Sequence, residues 1–163
     1  MPPDVPTPPP VLGWHEAVSL PEFGIELAFA KLDTGADQSV LHATHVRLAQ
    51  EDRLEFSLPL LLVQRSCGNF TQGGPRRVSA LVVDERWVKS SNGAEEVRYV
   101  IETSLLLSGQ QFRTRFSLTD RTGMRFSVLL GRSALRDRFL IDSGQAHLAG
   151  PSTATDSACS ESE

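Results

Sequence analysis

The sequence predicts an all-β domain, a small and mostly antiparallel β-barrel with several hairpins and one short helix. Three observations predict it. Between residues 11 and 149 apolar residues recur with period two, the spacing of half-buried strands. Asn92-Gly93 stands between two such runs, and Asn-Gly is the strongest short hairpin signal. Only residues 132–138 carry a helical pattern, enough for one or two turns.

The elements follow in order. The first ten residues hold six prolines and predict a disordered, extended arm. Residues 14–20 and 25–32 flank Pro21-Glu22-Phe23-Gly24, a turn-forming linker, and predict a hairpin. Residues 53–63 predict a third strand, and residues 66–75, with three glycines, a loop. Residues 78–89 and 95–107 predict the Asn92-Gly93 hairpin. Ser108-Gly109-Gln110-Gln111 turns the chain into a strand over 112–118. Val128-Leu129-Leu130 is a short buried run ending in Gly131, the helix follows, and residues 139–141 close as a strand. Residues 150–163 are small, polar and acidic, and predict a disordered tail. The folded domain is expected over 11–149. There is no internal repeat.

Composition narrows the function. The chain has 163 residues, room for one ordinary domain. No stretch approaches the roughly 18–20 apolar residues of a membrane span, and the start shows no secretory leader, so a cytoplasmic protein is expected. Cys67 and Cys159 are too few for a disulfide scaffold, and neither has the neighbours of a nucleophile. A net charge of −4 argues against nucleic-acid binding. The charge is uneven: residues 98–138 hold eight arginines against Glu102, Asp120 and Asp137. That segment favours an anionic partner.

Chemistry concentrates in Leu32-Asp33-Thr34-Gly35-Ala36-Asp37-Gln38-Ser39-Val40. An acid ends an apolar strand and is followed by small residues that let another backbone or a ligand come close. Asp, Thr and Gly also make ordinary turns, so the triplet alone is weak. A second segment, Leu129-Leu130-Gly131-Arg132-Ser133-Ala134-Leu135, lies downstream, with the hairpin between the two.

Together these segments resemble the retropepsin-like aspartic proteases. Those enzymes carry an apolar-Asp-Thr-Gly-Ala-Asp-x-Ser/Thr-Val loop, then a flap hairpin, then two apolar residues, Gly, Arg and a short helix. The chain is also similar to a bacterial family known under the label ATP-dependent zinc protease and associated with ribosomal-protein glutamate ligases. Gly13-Trp14-His15-Glu16-Ala17-Val18-Ser19-Leu20-Pro21, Leu41-His42-Ala43 and residues 138–142 carry that likeness. That family usually has Arg after Asp-Thr-Gly-Ala, where this chain has Asp37.

The resemblance implies a retropepsin-like acid-protease half-barrel with one short C-terminal helix. It implies an aspartic endopeptidase whose catalytic Asp33 meets its own copy across a homodimer, because the chain supplies one Asp-Thr-Gly. Thr34 and Arg132 are expected to support the loop, Arg132 by an ion pair with Asp37. Gly35, Ala36, Asp37 and, from the flap, Ser91, Asn92 and Gly93 are expected to bind a peptide or protein substrate, with acidic, glutamate-rich tails as one preference. The alternative is a non-catalytic partner of a glutamate ligase or of its substrate, using the same fold.

Neither half of the label ATP-dependent zinc protease has its residues. Neither Lys31 nor Lys89 follows a glycine, as a phosphate-binding loop requires. His15-Glu16-Ala17-Val18-Ser19 has serine where His-Glu-x-x-His has its second ligand. His42 and His45, three apart, fall on opposite faces of a strand. No metal and no cofactor is expected.

Overall fold

The computed structural model describes residues 6–59, 62–64, 70–72, 74–89 and 92–150. Ser91, Cys67, Cys159, the first five residues of the proline-rich arm and residues 151–163 of the tail lie outside the described residues. The strands are β1 (Val11–Gly13), β2 (His15–Leu20), β3 (Ile25–Leu32), β4 (Ser39–His42), β5 (Thr44–Leu48), β6 (Arg53–Leu58) and β7 (Leu62–Gln64). They continue as β8 (Phe70–Gln72), β9 (Arg76–Lys89), β10 (Glu95–Leu107), β11 (Gln110–Thr119), β12 (Val128–Leu130) and β13 (Leu140–Asp142). Helix α1 (Arg132–Leu135) precedes β13.

Strand pairing runs β11-β4-β12-β3-β2-β10, and β10 also pairs with β11, so six strands close into a barrel. β9, β6 and β5 continue the sheet outward from β10. Alternation supplies the interior: Leu20, Leu41, Phe56, Ile101, Leu105, Phe116 and Leu130 are fully buried members of one core. The β2–β3 hairpin turns through a 3-10 turn at Pro21–Phe23. Gly24 closes that turn at φ 67°, a left-handed position suited to glycine.

Five local expectations change. Residues 53–63 are not one strand, because the run stops at Leu58 before Pro59, whose missing N–H cannot join a ladder. β4 and β5 occupy a stretch the periodicity left unassigned, and β8 falls in the expected loop. β1, also unassigned, pairs in parallel with β13. The helix is a single turn rather than 132–138: Arg136 is already extended at ψ 133° and Asp137 is left-handed at φ 64°.

The site follows from two parallel pairings. β12 runs beside β3 with Leu130 opposite Leu32, and β4 runs beside β11. The two signature segments therefore leave the barrel side by side.

Candidate active site

β3 delivers Asp33 at its end. The Asp33 N–H donates to Leu130 O at 2.8 Å, and the Leu32 N–H donates to Trp14 O at 2.8 Å. The carboxylate is held as well, since its Oδ1 accepts the Gly35 N–H at 2.9 Å. A Cβ on Gly35 would stand 3.2 Å from that oxygen, so glycine lets the loop fold back on its own acid. Asp33 is half-buried, while Thr34, Gly35 and Asp37 are exposed.

The second signature clamps the first. The Arg132 N–H donates to Ala36 O at 2.8 Å and the Ser133 N–H to Asp37 O at 3.0 Å. Gly131 approaches so closely that a Cβ would lie 2.5 Å from Gln38 O. The Gly131 N–H donates to the fully buried Ser39 Oγ at 3.1 Å. Ser39 is the Ser/Thr position of the loop pattern; its spacing was visible, its structural task was not. Arg132 Nη1 donates to Thr34 O at 3.0 Å.

Arg132 faces Asp37 as expected, in a long and exposed ion pair. Nη2 and Oδ1 are 4.0 Å apart, with the side chains 44% and 61% exposed. Both flank an open loop edge, where water solvates them.

Beside Thr34 a groove of about 320 Å³ is lined by Arg132, Leu135, Phe139, Leu140 and Ile141. Leu140, 53% exposed, stands in this groove. Asn92 and Gly93 form the tip of the β9–β10 hairpin, with Gly93 at φ 84°. The hairpin's own partners are β2, β6 and β11, whereas the Asp33 loop is held by Leu130 and Arg132, with Trp14 holding Leu32 before it.

The Trp14-His15-Glu16 segment has a task periodicity did not announce. Glu16 is fully buried, and its two carboxylate oxygens accept the N–H groups of Leu148 at 2.9 Å and Ala149 at 2.7 Å. The Trp14 N–H donates to Gln145 O at 2.8 Å. This segment binds residues 145–149 as a strap, and the same Trp14 carries the hydrogen bond to Leu32. His15 lies 4.7 Å from His147, ring to ring, with Arg125 over Trp14 and Phe126. Burial first, then His147 and Arg125, hold its pKa below the ordinary value.

His42 Nδ1 accepts the Arg121 N–H at 2.8 Å, and His45 sits in a left-handed turn at φ 51°. The Asp120 carboxylate is held below its usual range mainly by the Thr122 hydroxyl and N–H, with a smaller contribution from the two histidines.

Four likenesses accompany this geometry. A protein of Desulfotalea psychrophila named "Probable alpha-L-glutamate ligase" is 35% identical over 136 residues, covering 81% of this chain and 28% of that one. A Shewanella pealeana protein of the same name is 33% identical over 141 residues, covering 86% and 30%. The chain thus spans under a third of the length of these curated relatives. The crystal structure of a Legionella pneumophila protein of unknown function shares the fold, with a TM-score of 0.67 at 22% identity over 86% of this chain and 98% of that one. A family profile described as "Retropepsin-like aspartic endopeptidase RimB" matches residues 11–152, and the chain belongs to that RimB-like family.

Proposed function

We propose that the protein is an aspartic endopeptidase working as a homodimer, with Asp33 of each copy forming the dyad. One observation carries the reading: the half-buried Asp33 carboxylate heads an exposed, glycine-bearing loop and is fixed there by backbone hydrogen bonds. Peptide hydrolysis by carboxylates needs two of them on one water. One is ionised and takes the water's proton, and the other is protonated and polarises the scissile carbonyl, because two adjacent carboxylates do not both ionise. The exposed Thr34 and Gly35 give a second loop room to approach. In this reading Thr34 braces the paired loops, and Gly35, Ala36 and Asp37, with Ser91, Asn92 and Gly93 of the hairpin, hold the substrate backbone. Glutamate-rich tails are the proposed substrate class.

A second reading has one support. The relatives named as glutamate ligases contain the matching segment within much longer chains, which favours a docking role beside a ligase.

One experiment separates the two. Asp33→Asn keeps the shape and cannot ionise, so cleavage of glutamate-rich and neutral peptides is expected to fall below detection. Loss of the general base alone is worth about 10²–10⁴ in rate. Cleavage that survives in the variant removes the endopeptidase reading; inactivity of the wild type as well leaves docking.

A further inference from the structure

Cross-strand register puts Arg86 of β9 directly opposite Arg98 of β10. Directly opposed residues share a face, so two arginine side chains leave the outer part of the hairpin from the same face, and like charges so placed repel. The partners that quiet the other arginines are missing for one of them. Arg113 pairs with Glu22 at 2.6 Å and Arg115 reaches Glu102 at 3.7 Å. Arg138 lies over Phe112, and Arg121 donates to Phe126 O. Arg98 has no ion pair among the described residues, and its Nε is buried without a hydrogen-bond partner. Arg86 has one weak partner, Asp84, at 3.7 Å from its Nε on the same strand. On the two strands that face also carries Val88, Val100 and the acids Asp84, Glu96 and Glu102, of which Glu102 is drawn to Arg113 and Arg115.

We infer that Arg86 and Arg98 form a binding site for a carboxylate side chain of the substrate, one that selects acidic peptides. The inference rests on the endopeptidase reading for its ligand, a glutamate-bearing peptide, and on the hairpin register for its site. A carboxylate between the two groups relieves their repulsion and accepts from both forks, the geometry guanidinium groups serve best. Asp84 is the internal competitor, since it already draws on Arg86.

The test reads binding on full-length Asp33→Asn protein, so that turnover does not enter. The probes are a labelled glutamate-rich peptide and the same peptide with every glutamate replaced by glutamine. The glutamate peptide is expected to bind more tightly. Arg98→Gln and Arg86→Gln are each expected to reduce that preference by about tenfold, and Asp84→Asn to increase it. Equal affinity for both peptides, or an equal loss on both in the arginine variants, overturns the site. Should Arg98→Gln lose its native circular dichroism, Arg86→Gln, with a side chain 41% exposed, carries the test. A binding preference that follows these variants while the wild type cleaves neither peptide keeps the site and removes the endopeptidase reading.

Discussion

At residue scale the Asp33 loop depends more on backbone-directed hydrogen bonds than on charge. Arg132 meets Asp37 at 4.0 Å between two exposed side chains, a geometry worth at most about 1 kcal/mol. Its firmer bond is the one to Thr34 O. Arg132→Met is therefore expected to lower stability by roughly 1 kcal/mol, with Asp37→Asn costing less, and chemical denaturation of both variants checks it. A loss of several kcal/mol would mean that the pair is desolvated in the working protein. His15 supplies a pH dependence. Its folded pKa lies below the ordinary value, so the folded state binds fewer protons than the unfolded chain. That contribution is complete above about pH 6.5 and is lost as the pH falls toward the depressed value. His15→Gln is expected to flatten the fall in melting temperature over that window. The acid, its glycine and the partner arginine were legible because each is a residue type at a fixed spacing. Exposure of the pair was not, because it depends on what lies across the loop.

Elements were legible where a turn residue and an alternating run agreed. The β2–β3 and β9–β10 hairpins meet that condition, with Gly24 and Gly93 in left-handed turns between their strands. Short elements escaped it. β4 has only four residues, hidden inside the loop motif, and His45 at φ 51° breaks the alternation of β5. The strap over 145–149 left no periodic trace, since its hydrogen bonds go to Glu16 and Trp14 rather than to a ladder. Gly13 makes it possible: a Cβ there would lie 2.3 Å from Gln145 O, a backbone atom with no rotamer to yield. Gly13→Ala is expected to destabilise by about 1–3 kcal/mol. Glu16→Ala, which strands two amide donors, is expected to cost a similar amount for each. Thermal melts check both. Because Trp14 also holds Leu32, hydrogen exchange at Leu32 and Asp33 is expected to quicken in either variant.

At the scale of the whole molecule, alternation shows that a segment is a strand but not which strand it joins. The barrel closes through β10–β11, a hairpin that Ser108-Gly109 announces, and through the parallel pairs β3–β12 and β4–β11, which nothing local announces. Those parallel pairs bring Leu32 beside Leu130 and so bring Asp33 to Arg132, and they were reachable only through the joint pattern of two distant motifs. They also leave each chain with half of a proposed dyad, which subunit mixing tests directly. In this reading a dimer of one wild-type and one Asp33→Asn subunit has a single ionisable group at the axis, which cannot both accept the water's proton and polarise the carbonyl. Let the two proteins exchange at equal amounts. Random pairing sends half of the wild-type subunits into mixed dimers, so activity per wild-type subunit is expected to fall to about half. A larger excess of the variant should suppress it further, and dilution of wild type alone should lower specific activity as dimers dissociate. The pH–rate profile should be bell-shaped, its two limbs belonging to the pair. Activity per wild-type subunit that stays constant at every mixing ratio, in samples shown by sedimentation to have exchanged, would mean that each chain works alone, and the shared dyad would have to be abandoned.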